Sequence, residues 1–123
     1  MGLAELRRIA LALPEAVEKI SHGRPTFNAP KMFAVYGGSS KVGQASGEMV
    51  RYPYSVLLKI DESERRALEQ DRRFYFPMYL GPFGWLGLDL EVAQVDWDEV
   101  RELVDASFRL QAPKRLLEEL DSR

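Results

Sequence analysis

The stretch Tyr54–Glu64, with the sequence YSVLLKIDESE, contains the transition on which the fold depends. Its first half alternates in the way that a strand with one buried face requires. The apolar positions of that face are Val56, Leu58 and Ile60. Asp61 matches a helix N-cap, and Glu64 three residues later completes a capping box. The stretch therefore predicts a strand over Tyr54–Ile60 and a helix that runs to about Asp71.

Further strands are predicted on the N-terminal side of this stretch. Lys31–Tyr36 is a near-continuous apolar run, which suits a central strand, and residues 26–27 form a shorter candidate. Residues 37–40 (GGSS) are typical of a hairpin turn. Residues 38–53 are otherwise difficult to interpret, because Lys41–Val50 is consistent with a weak edge strand or with a mobile loop.

Helical periodicity is clearest after Asp96, which forms a second capping box with Glu99. The apolar residues that follow at helical spacing are Trp97, Val100, Leu103, Val104 and Phe108. Residues 3–13 and 114–120 are also predicted to be helical, whereas 74–76 and 85–90 are predicted to be short strands. This order predicts an α+β fold with a mostly antiparallel sheet and helices packed on one face.

Composition limits the class of protein. The chain has 123 residues, so we expect a single domain over residues 1–123, and it has no cysteine for disulfides or thiolate chemistry. No apolar run approaches the roughly 18 residues that span a bilayer, and the N-terminus does not match a signal peptide. We therefore expect a cytoplasmic protein with no membrane partner.

The net charge of −2 is unevenly distributed along the chain. Residues 1–60 have eight Lys or Arg against four Glu, which gives +4. Residues 61–123 have nine Lys or Arg against fifteen Asp or Glu, which gives −6. The excess in the first half could mark a weakly positive face, or it could be a solvated surface of uneven sign.

Five segments, taken in order, resemble motifs of the MmcQ/YjbR family. They are residues 21–27 (SHGRPTF), 32–34 (MFA), 81 with 84–89 (G and GWLGLD), 95–100 (VDWDEV) and 112–116 (APKRL). The match covers nearly the whole chain. The resemblance implies a compact fold like that of the frataxin-like (CyaY-like) proteins. It also implies DNA binding through a double-wing arrangement of hairpins, and it brings no established catalytic residues.

Four residues are candidates for binding nucleic acid or another anion: His22, Arg24, Lys114 and Arg115. His22 is the only histidine, and it could be a general base, a phosphate contact or a structural residue of its turn. Arginine offers a planar fork for phosphate or carboxylate. Residues 114–115 follow Pro113 near a helix start, where they could bind an anion or pair with nearby acids such as Glu118 and Glu119.

Three aromatic residues surround a glycine-rich loop: Tyr79, Phe83 and Trp85. They could stack on bases or line a pocket, or Trp85 could be a core residue that the others partly cover. The glycines at 81, 84 and 87 do not match a phosphate-binding loop, and we expect them to allow positive φ and tight turns.

The sequence predicts no metal site, no cofactor and no catalytic residue, and it favours a binding protein over an enzyme without deciding between them. Three functions stay open. The first is a DNA-binding or regulatory module, which rests mainly on the family resemblance. The second is a small anionic-ligand site near His22 and Trp85, either binding or catalytic. The third is a protein-interaction domain that uses its sheet or an edge strand, and residues 38–53 could be such an edge or could be covered by a second copy of the chain.

Overall fold

The structure is a computed structural model that describes residues 1–42 and 47–123. Within these residues it has four helices, namely α1 (Leu3–Leu11), α2 (Glu62–Glu69), α3 (Trp97–Gln111) and α4 (Lys114–Asp121). The strands are β1 (Val17–Ser21), β2 (Arg24–Asn28), β3 (Met32–Val42), β4 (Glu48–Lys59), β5 (Phe74–Tyr75) and β6 (Trp85–Asp89). A 3₁₀ turn, Gly81–Phe83, precedes β6. None of the helices in this part of the chain is long and apolar enough to cross a membrane.

The strands form one six-stranded sheet in the order β1-β2-β3-β4-β6-β5, and each adjacent pair is antiparallel. One face of the sheet and all four helices contribute to the main apolar core. The sheet supplies Phe27, Val56, Leu58, Leu86 and Leu88, and the helices supply Leu6, Leu68, Val104, Phe108 and Leu116. The predicted α+β fold, with a largely antiparallel sheet and helices on one face, is therefore confirmed.

Both predicted N-caps are present. The Asp61 carboxylate accepts a hydrogen bond of 2.9 Å from the Ser63 amide, and the Asp96 carboxylate accepts bonds of 3.1 Å from the amides of Asp98 and Glu99. These bonds satisfy amides that have no partner inside the helix. The caps therefore fix where α2 and α3 begin.

The predicted hairpin turn at residues 37–40 is wrong. Strand β3 continues to Val42 and pairs with β4 up to Val42 opposite Glu48. The two glycines at 37 and 38 instead produce an irregularity in the pairing, with Gly37 at φ 86°. The connection between β3 and β4 therefore includes residues 43–46, so the part of the mobile-loop prediction that falls there lies outside the described residues.

The glycines near β6 serve two different purposes. Gly84 adopts φ 90°, as expected for a tight turn. Gly81 and Gly87 instead allow close packing, because a Cβ on Gly87 would lie 2.3 Å from Cζ of Tyr75 and one on Gly81 would lie 2.5 Å from a ring carbon of Phe76. The positive-φ expectation is thus right for Gly84 and wrong for the other two.

Candidate functional site

The face of the sheet opposite the helices carries a smaller apolar cluster. Val35, Leu57 and Trp85 are its buried members, and Met32, Tyr75 and Leu80 pack against them. The loop that follows β5 lies over this face, where the Met78 amide donates a hydrogen bond of 2.8 Å to the Ser39 carbonyl. The loop therefore forms a wall above the floor that the cluster provides.

A cavity of about 630 Å³ lies between this loop and the tip of the β1–β2 hairpin, and we call it the hairpin–loop groove. The hairpin contributes Ser21, His22, Arg24 and Thr26. The floor and the loop contribute Met32, Val35, Leu57, Met78, Tyr79 and Leu80. Its volume is in the usual range for a small-molecule site, and its polar side chains are concentrated on the hairpin.

The hairpin tip is a two-residue turn. Ser21 pairs with Arg24 across it, and the two loop residues, His22 and Gly23, have φ angles of 53° and 76°. Left-handed conformations at both positions are those of a type I′ turn, which matches the twist of the strands. The exposed His22 ring also lies 3.1 Å from the Ser21 hydroxyl through Nδ1. The fold therefore presents the imidazole at the rim of the groove.

Arg24 is half-buried, and within the described residues it has no carboxylate partner. The charge of Arg24 also acts on Tyr75, which packs against the groove floor. Burial raises the pKa of Tyr75 to about 12, and Arg24 is among the groups that oppose this rise. Arg24 is thus a cation whose field extends over the face of the sheet that no helix covers.

A second cavity, of about 460 Å³, lies between the β1–β2 hairpin and the β3–β4 pair. We call it the Arg24–Arg51 cleft, since both arginines line it, together with Gly37 and Gly38. Arg51 is exposed and, like Arg24, has no carboxylate partner in the part of the chain that the structure describes. Arg24 lines both cavities and so stands at the boundary between them.

The described residues contain no group of three or more His, Asp or Glu placed to hold a metal ion.

The polar groups on the hairpin are suited to hydrogen bonding. The Thr26 hydroxyl donates to the Lys19 carbonyl at 2.9 Å and accepts from the side-chain amide of Asn28 at 3.1 Å, so the orientation of the hydroxyl is fixed. The arrangement can bind an anion beside an apolar surface.

Comparison with known proteins identifies the family. The YjbR family model matches residues 11–110, which is most of the chain. The chain belongs to the YjbR family. No curated protein matches it.

Two solved structures share the fold of this YjbR chain. One is a Deinococcus radiodurans protein with a DUF419 domain, 19% identical, with a TM-score of 0.65 over 88% of this chain and 76% of that one. The other is a Pseudomonas syringae protein solved by a structural genomics consortium, 16% identical, with a TM-score of 0.66 over 90% of this chain and 99% of that one. At these identities the likeness concerns the fold.

Three of the predicted site residues meet in this YjbR structure. His22, Arg24 and Tyr79 all line the hairpin–loop groove. Trp85 is only 4% exposed and packs with Val35 and Leu57, so it supports the floor from within the core. The YjbR motif at residues 21–27 thus forms one wall of the groove, while the motif that begins at Gly81 lies under it.

The other three predicted residues lie elsewhere. Phe83 is 68% exposed and lines a different cavity, beside Lys59 and Arg65. Lys114 begins α4, and Arg115 forms a bidentate ion pair with Glu15, with distances of 2.6 and 3.0 Å. The partner is therefore Glu15, not the neighbouring acids that the sequence suggested. Hydrogen bonding from Arg115 lowers the pKa of the Glu15 carboxyl.

Sequence reasoning missed several residues that line the two cavities. Met32 and Met78 gave no signal beyond apolar character, and Arg51 lay in the region that could not be interpreted. Arg51 lines a cavity with Arg24 because β3 continues past Gly38, where Ser39 pairs with Arg51 on β4. A correct reading of residues 37–42 as a strand would have brought Arg51 into consideration.

Proposed function

We propose that this YjbR protein binds a small ligand that has an apolar body and an anionic group, and that the ligand lies in the hairpin–loop groove. One observation carries the proposal. The groove places the exposed His22 and Arg24, which has no carboxylate partner among the described residues, beside an apolar floor. A guanidinium without a carboxylate partner favours an anion, and the floor favours the transfer of an apolar group out of water.

The test uses two fluorescent probes that differ in charge. Anilinonaphthalene sulfonate has an aromatic body and an anionic group, and N-phenyl-naphthylamine is its uncharged counterpart. We expect Arg24→Gln combined with His22→Asn to weaken sulfonate binding by roughly tenfold or more, because a charged hydrogen bond is lost. Binding of the uncharged probe should change little. His22→Asn keeps the turn, since Asn-Gly is a preferred type I′ sequence.

The matched control is Lys114→Gln, which removes an exposed charge from the start of α4, outside the residues that line the groove. It should leave both affinities unchanged. If the sulfonate binds the double variant and the parent protein equally well, the proposed function is wrong.

A second candidate function is nucleic-acid binding, which the family resemblance implies for the class. A specific observation favours it. Residues 19–59 contain Lys19, Arg24, Lys31, Lys41, Arg51 and Lys59 against Glu48 alone, which is six positive charges less one, or +5. None of these six forms an ion pair within the described residues, whereas eight of the ten arginines outside this segment do.

Fluorescence anisotropy with a labelled DNA duplex tests this candidate. We expect affinity to fall steeply between about 50 and about 200 mM salt, because phosphate contacts release counterions. Lys41→Gln with Arg51→Gln should weaken binding, and Arg66→Gln with Arg72→Gln on the other part of the chain should not. Absence of salt-sensitive binding at low ionic strength would exclude the candidate.

A further inference from the structure

We infer that the anionic group of the ligand is a phosphate held in the Arg24–Arg51 cleft, and that an aromatic body attached to it lies in the hairpin–loop groove. The ligand class is an aromatic or heterocyclic phosphate monoester, of which a nucleoside monophosphate is an example. The inference rests on the proposed function and adds the chemical class and the position of the charged end.

Arg24 lines both cavities and so connects them as one candidate site, in which the cleft lies beside Leu3 and Tyr36 of the helix-covered face and the groove lies on the opposite face. A ligand whose charged end contacts the Arg24 guanidinium on one side can therefore place its body on the other side. The cleft supplies two guanidinium groups beside apolar side chains such as Met49, and the groove floor, where Val35 and Leu57 lie, is apolar. This distribution matches a molecule with one charged end.

Two arginines in one cleft favour phosphate over carboxylate. Arg24 belongs to β2 and Arg51 to β4, so the fold brings two like charges to one cavity without a carboxylate between them in the described residues. A guanidinium binds two oxygens of an anion in a planar fork. A phosphate dianion can accept from both guanidinium groups and neutralise both charges, whereas a carboxylate carries only one charge.

The wall of the cleft is also open to a compact anion. Gly37 and Gly38 line it, and neither places a side chain between the arginines. Glycine commonly occurs where a ligand must approach the backbone closely. The cleft volume of about 460 Å³ leaves room for a phosphate group and its attachment.

The groove suits an aromatic body because of the side chains on its floor and loop. Met32 and Met78 both line it, and thioethers make favourable contacts with aromatic rings while adapting to their shape. Tyr79 is 79% exposed at the same groove, so its ring is available for stacking.

The experiment compares phosphate esters with the same molecules lacking phosphate. Isothermal titration would measure AMP against adenosine and phenyl phosphate against phenol, using the full chain. We expect each ester to bind at least tenfold more tightly than its counterpart, and Arg51→Gln to reduce ester affinity by about tenfold. Arg72→Gln, an exposed arginine with no ion pair in the described residues, is the control and should have no effect.

Amide shifts in NMR spectra locate the phosphate. Inorganic phosphate should shift the amides of Gly37 and Gly38, and this result does not depend on any variant folding correctly. Comparison of AMP with a 5′-phosphorylated tetranucleotide shows whether the source is a free nucleotide or the end of a strand. If AMP or the tetranucleotide binds more tightly than the other, and Arg51→Gln removes that tighter binding, the inference is supported.

Failure of the inference can be separated from failure of the proposed function. If sulfonate binding depends on Arg24 but neither ester binds more tightly than its counterpart, the phosphate is not recognised and the inference is overturned. If Arg51→Gln leaves ester affinity unchanged, the cleft is not the site and the inference is equally overturned. If sulfonate binding is independent of Arg24 and His22, both the proposed function and the inference are wrong.

Discussion

Ser107 shows how much one short side chain contributes to the position of the sheet. It is fully buried, and its hydroxyl donates a hydrogen bond of 2.6 Å to the Phe33 carbonyl and accepts one of 3.0 Å from the Lys59 amide. It thereby joins α3 to β3 and β4. No sequence pattern marks this residue, because a serine on the apolar side of a helix resembles any other small residue.

We expect Ser107→Ala to lower the free energy of unfolding by about 1–3 kcal/mol, because two buried backbone groups lose their partner. Urea denaturation followed by circular dichroism would measure it. Ser122→Ala is the matched control, since the exposed Ser122 hydroxyl bonds only the Glu119 carbonyl in its own helix. An unchanged urea midpoint for Ser107→Ala would show that the bridge does not contribute.

Tyr75 should ionise well above the ordinary pKa of a tyrosine. Burial raises its pKa to about 12, so the folded protein holds this proton more tightly than the unfolded chain does. The stability that this provides is complete below the ordinary value of 10 and is lost as pH rises toward 12. Phenolate absorbance during an alkaline titration measures this, and Tyr75→Phe should remove the step near pH 12.

At the scale of elements, prediction succeeded where a strand or helix has one buried face. Alternating apolar residues predicted β6 and the second half of β4, from Tyr54, but not its start at Glu48, and capping boxes predicted α2 and α3. Strand β1 gave no such signal, because it lies at the edge of the sheet and its Ile20 is 68% exposed. The extension of β3 was missed for another reason, since a pair of glycines is compatible with both a turn and an irregular strand.

Gly87→Ala tests how β5 is held against β6. The Tyr75 ring lies so close to Gly87 that a methyl group cannot fit without displacing it. We expect a loss of about 1–3 kcal/mol in the free energy of unfolding, typical of overpacking. In a Tyr75→Ala background the same substitution should cost much less, and equal costs in the two backgrounds would contradict the contact.

At the scale of the whole molecule, the sequence predicted three contributors to the groove but not the cleft beside it. His22 and Arg24 are adjacent to a turn that could be recognised, and Tyr79 lies in a recognisable loop. The position of Arg51 depends on the register shift between β3 and β4 near Gly38, which no local pattern records. Ion pairing differs between these parts of the molecule in a similar way. Arg73 pairs with Asp71 and Glu99, whereas Arg24 and Arg51 have no carboxylate partner in the described residues.

The ion pairs predict how stability responds to acid. Hydrogen bonding from Arg73 lowers the pKa of Asp71 below its ordinary value of 3.8, so the unfolded chain takes up this proton first. The contribution is present above that value and is lost as pH falls through the lowered pKa. Arg73→Gln should therefore reduce the urea midpoint at about pH 7 more than at a pH below the lowered pKa of Asp71, where that carboxyl is protonated. Arg72→Gln should show no such difference.

The close packing of Tyr75 against two glycines connects the packing of the sheet with the size of ligand that the groove can accept. Its ring meets Gly87 on β6, and a Cβ on Gly38 of β3 would lie 2.4 Å from its hydroxyl oxygen. Tyr52 stacks on the same ring with a centroid separation of 3.9 Å. The ring thus fills the space that side chains at positions 38 and 87 would occupy and packs against the groove floor, so substitutions at position 75 should alter ligand-size selectivity as well as folding.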